Sequence, residues 1–509
     1  MTGAAAILER WPNVALFEWR NHGERRRVMV APLRSAAAMP ARRALRAGNL
    51  LAFIGGVAWA LCLSPACAQT SGLSPDLVRR VDAAVQQVLA EDQAPSASIA
   101  IVRDGHLVYT AAYGYAKLAP AARATTATRY QLASLSKTFV AQAMLLLEQD
   151  GALHLDDPVA RWLPGLSGGD GVTLRELLQH TSGFPDHYPQ TYPAGPRAKA
   201  TTPDAIIASW GRHPLLFAPG SRFRYSNLNY VIAGRIIEKV SGKALFSFLQ
   251  ERVLEPLGMK ATIDIDGVDP GTADVATGYV RAALGPLEPA PEEGYGWSYG
   301  AGQLVMTAGD LGRWDEAFLD GRLLAPVQAQ AEVTAPTLAD GTRSGYALGL
   351  FVARRAGRTV YSHVGQGLGF LATNQIYPAE RAAIVVLTND SSSGAYAHIA
   401  DRLAYLVVPP TTAEAQARDL LRALQAGQVD RRQFSADFDA WFDADRARKF
   451  ARGLAPLGEP DSLSLRSEDE ADGLITRTFD IRVKGQALRL LLQLLPDGRI
   501  ESLDVQRAG

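Results

Sequence analysis

Ser134 and Lys137 are the first residues whose types and spacing could do chemistry, in the segment LASLSK that leads into TFVAQAMLLLEQDG. Residues three apart lie on the same face of a helix, so the Lys137 amine would lie against the Ser134 hydroxyl. An amine whose pKa is lowered by burial could take the hydroxyl proton and make Ser134 a nucleophile. A helix start would also aim the Ser134 N–H at a developing oxyanion. The alternative is that Ser134 or Ser136 only caps the helix.

A tyrosine and an asparagine form a second element, Tyr225-Ser226-Asn227, just before the helical run NYVIAGRIIEKVSG. A tyrosine aimed at a Ser–Lys pair can serve as a phenolate base or as a proton shuttle. The Asn227 amide can donate a hydrogen bond to a substrate carbonyl. Taken alone, the pair is better interpreted as a core aromatic residue followed by an ordinary helix cap.

The third element is His363-Val364-Gly365-Gln366, in a run with the pattern of a β-strand. A glycine on a strand edge lets a substrate backbone approach closely, and the Gln366 N–H could be the second oxyanion donor opposite Ser134. His363 could bind an anionic group of the substrate. By itself, a single histidine on a strand is usually an ordinary structural side chain.

These residues need a scaffold that brings distant segments together, and the hydrophobic patterns predict one. Ser74-Pro75-Asp76 has the chemistry of a helix start, and Asp104-Gly105 joins two β-rich runs in a tight hairpin. Further strands are predicted far downstream, in YALGLFVAR, RTVYSHVG, FLATNQIYP and AAIVVLTND. Helical periodicity dominates the stretch between them. We therefore expect one sheet assembled from both ends of this region, beside a helical lobe.

The sequence changes in character after Pro409-Pro410. An amphipathic helix, AEAQARDLLRALQAGQ, is followed by a predicted three-strand meander in FDIRVKGQALRLLLQLLPDGRIESLDV. We expect a small, separate α+β domain at residues 411–509. The charged stretches Asp443 to Lys449 and Ser467 to Asp472 are interpreted as solvated surface, and no motif predicts the role of this domain.

Six segments together resemble one family, the serine β-lactamase-related hydrolases. They are LASLSKTFVAQAMLLLEQDG, VTLRELLQHTSGFP, PGSRFRYSNLNYVIAGRIIEKVSG, EPLGM, GAGQLVMTAGDLGRW and SHVGQGLGF. The family includes class C β-lactamases, D,D-carboxypeptidases, D-aminopeptidases and β-lactamase-like esterases, and the resemblance covers residues 73–408. It implies an α/β (α+β) fold of the β-lactamase and penicillin-binding-protein transpeptidase type. In that fold an antiparallel sheet is flanked by helices and accompanied by an α lobe.

The resemblance also implies roles for the residues named above. Ser134 would be the acylated nucleophile, Lys137 its proton acceptor and Tyr225 a second general base or proton shuttle. Asn227 would bind the substrate amide, and His363 with Gly365 would form the third element of the site. Which of Lys137 and Tyr225 takes the first proton stays open, since the proton can belong to the coupled pair.

One departure from the family pattern bears on the substrate. Class C β-lactamases carry Lys-Thr-Gly in the third element, whereas this chain has His363-Val364-Gly365. The His-x-Gly pattern looks more like the D,D-carboxypeptidase and D-aminopeptidase branches. Strong β-lactamase activity is not expected, because a histidine is only partly protonated at neutral pH and captures anions weakly. The segment His180-Thr181-Ser182-Gly183 also matches the family and is interpreted as a structural loop.

Composition and spacing argue against several other classes of protein. The 509-residue chain has 52 Lys+Arg and 52 Asp+Glu, so no net charge attracts it to nucleic acid. The histidines show no metal-ligand spacing, so no metal is expected. Gly165 to Gly169 fits G-x-S-x-G without a flanking strand and helix, and Gly365 to Gly369 lacks dinucleotide-binding spacing. Cys62 and Cys67 cannot build a disulfide framework. We expect no cofactor.

The N-terminal residues 1–68 have the pattern of an extension followed by a secretory signal peptide. Three arginines at 42, 43 and 46 precede the apolar run Leu50 to Leu63, which ends in Ala66-Cys67-Ala68. Cleavage after Ala68 would leave a periplasmic or secreted protein without a stable membrane span. An uncleaved anchor helix is the alternative, but the apolar run is shorter than the ~20 residues that a spanning helix needs. A lipid-anchored start at Cys67 is weaker still.

Together these features predict an exported, metal-free serine hydrolase that acts through an acyl-enzyme on amide or ester bonds. Peptides containing D-amino acids are the first substrate class, small esters the second, and a class C-type β-lactamase the third. A different class of function is a penicillin-binding sensor that is acylated without turnover. The partner expected is a small-molecule or peptide substrate, and the sequence does not predict protein partners.

Overall fold

The computed structural model describes residues 72–188, 196–267, 274–355, 358–471 and 473–508. The predicted N-terminal extension and signal peptide lie outside these residues. Within the described ranges, the search for a helix with the length and apolar character of a membrane span found none.

The helices of the described residues are, in chain order, α1 (Pro75–Asp92), α2 (Ser136–Gln149), α3 (Leu174–Leu178), α4 (Pro203–Trp210), α5 (Asn227–Ser241), α6 (Leu245–Leu249), α7 (Ala308–Leu319), α8 (Pro326–Glu332), α9 (Ala395–Val407), α10 (Thr412–Ala426), α11 (Ala436–Trp441) and α12 (Ala444–Leu454). The strands are β1 (Ser96–Arg103), β2 (His106–Leu118), β3 (Ala121–Arg123), β4 (Tyr130–Gln131), β5 (Ile263–Asp264), β6 (Tyr279–Arg281), β7 (Leu287–Pro289), β8 (Leu304–Met306), β9 (Phe351–Arg355), β10 (Arg358–Gly367), β11 (Phe370–Tyr377), β12 (Ala382–Thr388), β13 (Ser462–Ala471), β14 (Leu474–Val483), β15 (Gln486–Leu494) and β16 (Ile500–Arg507).

A seven-stranded antiparallel sheet in the order β3-β2-β1-β12-β11-β10-β9 is the centre of the fold. Its middle strands come from opposite ends of the region, since β1 pairs with β12 in a register that places Ala97 opposite Thr388. Both strands are buried on both faces, as expected from their continuous apolar sequences. The prediction of one sheet built from both chain ends is confirmed.

Helices cover both faces of this sheet. α1 and α9 pack together on one face, where Val81 and Val85 join a core with Ile99 and Ile384. Ser74 caps α1 by accepting a hydrogen bond from the Leu77 N–H at 3.3 Å, in agreement with the predicted helix start. α7 packs on the opposite face against β1 and β12. The predicted antiparallel sheet flanked by helices is therefore confirmed.

The helical lobe is built around α2 and α5. α2 is buried along almost its whole length, from Ser136 to Leu147, because α5, α6 and α8 surround it. An all-round apolar helix is typical of the interior of a large domain. The lobe therefore fixes the start of α2, where the candidate nucleophile lies, from several sides.

The C-terminal region has its own four-stranded antiparallel sheet, in the order β13-β14-β15-β16, and its own apolar core. The predicted amphipathic helix is confirmed as α10, with Thr411 and Glu414 forming a reciprocal cap. The predicted three-strand meander is confirmed as β14, β15 and β16, and a fourth strand, β13, was missed. β13 was interpreted as charged surface because its second half, Glu468 to Ala471, is exposed and polar while only Leu463 and Leu465 enter the core.

Arg358 joins this region to the main sheet. Its guanidinium lies at the start of β10, donates to Glu414 on α10 and to the Pro409 carbonyl, and pairs with Glu380 at 3.5 Å. The Arg358 side chain is only 9% exposed, so the carboxylates of Glu380 and Glu414 neutralise a guanidinium charge that is largely shielded from water. Independent folding of residues 411–509 stays a prediction.

Candidate active site

Ser134 lies in a short 3-10 turn, Ala133–Leu135, that leads directly into α2. The turn is held against β8 from both sides, because Leu132 donates to the Leu304 carbonyl at 2.9 Å and Leu304 donates to the Ser136 hydroxyl at 3.0 Å. Ala133 has a φ of 46°, a left-handed conformation that is uncommon for alanine. Ser134 is half-buried, while its neighbours Ala133 and Leu135 are buried.

The Lys137 amine is fully buried and makes three hydrogen bonds. Its Nζ lies 2.9 Å from Ser134 Oγ, 2.8 Å from Asn227 Oδ1 and 2.7 Å from the Ala301 carbonyl oxygen. Burial lowers the pKa of Lys137 to about 7, and the nearby Asp186 carboxylate opposes that shift. The amine is therefore close to half neutral at neutral pH.

The three partners of Lys137 are not equivalent. The oxygens of Asn227 and Ala301 belong to an amide and a peptide carbonyl, and these can only accept hydrogen bonds. In its neutral form the amine has two N–H groups for these two acceptors, so its lone pair remains for the Ser134 hydroxyl. The geometry is that of an amine placed to remove the Ser134 proton.

Asp186 fixes the orientation of Asn227, and sequence analysis missed it. Its Oδ1 accepts the Asn227 backbone N–H at 2.9 Å and its Oδ2 accepts the Asn227 Nδ2 at 3.1 Å. The amide nitrogen is thereby occupied, so the amide oxygen must face Lys137. The available signal was an aspartate directly after the Gly-Phe-Pro that follows His180-Thr181-Ser182.

Tyr225 lies beside the amine, with its ring centroid 5.0 Å from Lys137 Nζ. Burial raises the pKa of Tyr225 well above its usual range, and the neighbouring Ser134 hydroxyl offsets this only in part. Among the described residues, the Tyr225 hydroxyl has no hydrogen-bond partner. Tyr225 is therefore a neutral phenol beside the Ser134 hydroxyl, with a proton to give.

His180 supports the Tyr225 ring from behind. The two ring centroids are 4.1 Å apart, and His180 also packs on Tyr230 and Tyr346. Its Nδ1 accepts the Ser226 N–H at 3.2 Å, so the ring is a neutral Nε2–H tautomer, in agreement with a pKa that burial lowers far below its usual value. The loop expected to be structural is thus also the support of the tyrosine.

His363 lies on β10, and both of its ring nitrogens have partners within the protein. Nδ1 donates to the Val364 carbonyl at 2.8 Å, so Nε2 is the acceptor of the Tyr346 hydroxyl at 3.0 Å. The side chain is buried, and burial together with the Lys137 charge lowers its pKa to about 3. This neutral ring does not supply the positive charge that the predicted contact with an anionic substrate group requires.

Gly365 is the point where β10 contacts the 3-10 turn that carries Ser134. A Cβ atom at this position would lie 1.9 Å from the Leu132 carbonyl oxygen, so only glycine allows this approach. The ladder between β9 and β10 ends at Ser362, which leaves residues 364–367 beside the 3-10 turn. Gln366 lies on this edge with an exposed side chain, and its role as an oxyanion donor stays a prediction.

The G-x-S-x-G motif is accounted for by the structure. Gly165 to Gly169 form turns before α3, and the Ser167 hydroxyl donates to the Arg212 carbonyl at 2.8 Å, so this serine serves the loop. Over the ranges that the structure describes, no cluster of three or more His, Cys, Asp or Glu side chains is arranged to hold a metal ion.

Comparison with known proteins gives one consistent result. A family model described as Beta-lactamase matches residues 81–408. Penicillin-binding protein 4* of Bacillus subtilis (strain 168) is 29% identical over 324 residues, which cover 61% of this chain and 71% of that protein.

Solved structures show the same likeness. A D-stereospecific amidohydrolase from Streptomyces sp. has 29% identity and a TM-score of 0.54, covering 62% of this chain and 96% of that one. The D-amino acid amidase from Ochrobactrum anthropi SV3 has 27% identity and a TM-score of 0.55, covering 64% and 95%. The predicted fold and the resemblance drawn from the motifs are confirmed, and this chain belongs to the β-lactamase family of serine β-lactamases and penicillin-binding proteins.

Proposed function

We propose that this protein is an exported serine hydrolase that cleaves amide or ester bonds through an acyl-enzyme on Ser134. The observation that carries the proposal is the environment of Lys137. A buried amine with two carbonyl acceptors and one hydroxyl neighbour is a base already aimed at its proton. The proposed export rests on the sequence of residues 42–68.

The reaction begins when Lys137 takes the Ser134 proton and Ser134 Oγ bonds to the substrate carbonyl carbon. The carbonyl oxygen becomes an oxyanion, stabilised in this proposal by the N–H groups of Ser134 and Gln366. The bond to the leaving amine or alkoxide then breaks, and the leaving group receives a proton from the site. Water repeats the sequence on the acyl-enzyme and releases the acid.

Lys137, rather than Tyr225, takes the first proton in this mechanism. A phenol whose pKa is raised by burial is not a phenolate at neutral pH, whereas the pKa of Lys137 lies near 7. Tyr225 then serves as the donor to the leaving group and is reprotonated from the ammonium form of Lys137. The Tyr225 ring lies beside the amine, with its centroid 5.0 Å from Lys137 Nζ.

We propose peptides or amides of D-amino acids as the first substrate class. The similarity to a D-stereospecific amidohydrolase and a D-amino acid amidase supports this choice. The neutral His363 supports it as well, because a site without a charge at this position favours substrates that place an amide there rather than a carboxylate. Esters are the second class, since the same acyl transfer accepts an alkoxide leaving group.

Intact-mass spectrometry with parallel turnover assays tests the proposal. Wild-type protein and Ser134→Ala are exposed to a D-amino acid amide, its L-enantiomer, a D-alanyl-D-alanine peptide, a p-nitrophenyl ester and a penicillin. We expect turnover of the D-amide and a transient adduct on the wild type alone. Equal turnover by Ser134→Ala would refute the mechanism, and a stable penicillin adduct without turnover of any substrate would indicate a sensor.

A further inference from the structure

A cavity lies between α7, α8 and the middle of α2. Its volume is about 240 Å³, and apolar side chains form most of its wall. A cavity of about 150 Å³ can hold a benzene ring, so this one has room for a ring with a short substituent.

Glu332, the last residue of α8, lines this cavity and is only 2% exposed. Its Oε1 is buried, and within the described part of the chain it has no hydrogen-bond partner. Burial is the sole cause of a pKa raised to about 8, so no cation compensates the carboxylate. A buried, unpaired carboxyl group is destabilising and calls for an explanation.

The rest of the wall fits a cation with an apolar body. Phe318 and Tyr361 line the cavity, with their ring centroids 6.0 Å apart in an edge-to-face arrangement. Aromatic faces attract cations and accept apolar groups. Among the described lining residues, Glu332 has the one carboxyl group, Tyr361 is the one further titratable group, and Gln142 and Gln330 are the polar neutral ones.

The cavity is separate from the Ser134 site. It reaches α2 at Gln142, more than one helical turn beyond Lys137, and the Gln142 amide oxygen is fixed by the Trp314 indole N–H at 2.9 Å. Its connection to the site runs through the segment at residues 348–349, because the Leu348 N–H donates to the Glu332 carbonyl while the Thr138 hydroxyl donates to the Gly349 carbonyl.

We propose that this cavity is a second ligand site, which takes a primary ammonium ion carrying a compact apolar or aromatic body. The ammonium group pairs with Glu332, and the body packs between Phe318, Tyr361 and the aliphatic wall. This proposal does not depend on the proposed catalytic function, because the ligand is neither the acyl group nor its carrier.

Calorimetric titration of the full chain tests it, with benzylammonium as the probe and benzyl alcohol as the neutral match. We expect the wild type to bind benzylammonium about tenfold more tightly than benzyl alcohol, which is the factor that one charge-assisted hydrogen bond provides. Glu332→Gln should lose this preference, and the exposed Glu288→Gln should keep it. Equal affinity of wild type and Glu332→Gln for benzylammonium, or no binding to the wild type at millimolar concentrations, overturns the proposal.

Proton release gives a second readout. The Glu332 carboxyl group is mostly protonated at pH 7, so benzylammonium binding should release a proton, while benzyl alcohol should release none. Titrations in two buffers of different ionisation enthalpy measure this number directly. Ala329→Leu, which fills the cavity, should abolish binding and leave turnover intact. Unchanged binding to Ala329→Leu would place the ligand elsewhere and refute the site.

Discussion

The carboxylate of Asp186 accepts both the backbone and the side-chain N–H of Asn227, at 2.9 and 3.1 Å. Asn227 can therefore present only its oxygen to the buried amine of Lys137. The carboxylate also acts on Lys137 through space, since its charge opposes the effect of burial on the pKa of the amine. One residue thus controls both the geometry and the protonation of the proposed base.

Replacement of Asp186 by asparagine should move the acid limb of the pH profile. Loss of the negative charge lowers the pKa of Lys137, so the neutral amine persists to lower pH and the midpoint of the limb in kcat/KM falls. The turnover number should also fall, roughly tenfold, because Asn227 loses a charge-assisted bond. The pH dependence of kcat/KM measures the shift, with exposed Asp170→Asn as the control. A midpoint that rises would contradict this assignment.

The wild-type profile has its own prediction. A base must be deprotonated to act, and the pKa of Lys137 is about 7, so kcat/KM should rise with pH through a midpoint near 7. Lys137→Arg should be inactive at every pH, because a guanidinium does not lose its proton in this range. Initial rates from pH 5 to 10 check both statements. A flat profile from pH 5 to 9 would exclude Lys137 as the base.

Gly365→Ala should separate β10 from the Ala133–Leu135 turn that carries Ser134. The added methyl group would meet the Leu132 carbonyl oxygen at 1.9 Å, so strand or turn must move. A displacement of this size lowers turnover by at least about 100-fold, while the fold persists. Gly453→Ala is the matched control, since an added Cβ there meets nothing within 4 Å. Circular dichroism of both variants tests whether the fold persists, and their turnover numbers test the predicted loss. Near-normal turnover of Gly365→Ala would contradict the proposed site.

His363 should remain neutral throughout the physiological range. Its pKa is lowered to about 3, and its Nδ1–H is donated to the Val364 carbonyl. Nitrogen NMR of the labelled ring should show one Nδ1–H tautomer from pH 5 to 8. Tyr346→Phe should destabilise the protein by ~1–3 kcal/mol in urea unfolding, because a buried acceptor loses its donor. A titration of His363 near pH 6.5 would instead restore it as an anion ligand.

Glu332 should make the protein less stable as the pH rises. The carboxyl group has a pKa of about 8 in the folded chain and an ordinary pKa of 4.5 when exposed, so between these values the folded state holds a proton that the unfolded state has lost. The free energy of unfolding therefore falls between these two pH values. Glu332→Gln should match the wild type near pH 4 and exceed it by roughly 2–4 kcal/mol at pH 9. Parallel unfolding curves at all pH values would contradict this.

The sequence was sufficient for the elements whose local signals agree with the fold. The Asp104-Gly105 hairpin could be predicted because this dipeptide readily adopts positive φ. The structure has φ values of 55° and 84° at these two residues. The helix from Ser74 and the sheet built from both ends followed from capping and continuous apolar runs. The motif segments were sufficient to recognise the family.

The electrostatics of the site could not be predicted in this way. Nothing in the spacing shows that Asp186 lies beside Asn227, since they are 41 residues apart. The neutral state of His363 depends on its burial and on the charge of Lys137, which comes from a distant part of the chain. The strand β13 was missed for another reason, because its exposed half carries charges that are equally typical of a surface loop.

The pairing of Ala97 with Thr388 in the middle of the large sheet has a consequence for how the chain folds. Every residue of the candidate active site lies between these two partners in sequence. The sheet cannot close until the ribosome has passed residue 388. Contacts of such long range form slowly, because the chain loses the entropy of loop closure before the contacts stabilise it. Maturation of the site is therefore a late event, and partly folded chains expose unpaired strand edges until it occurs.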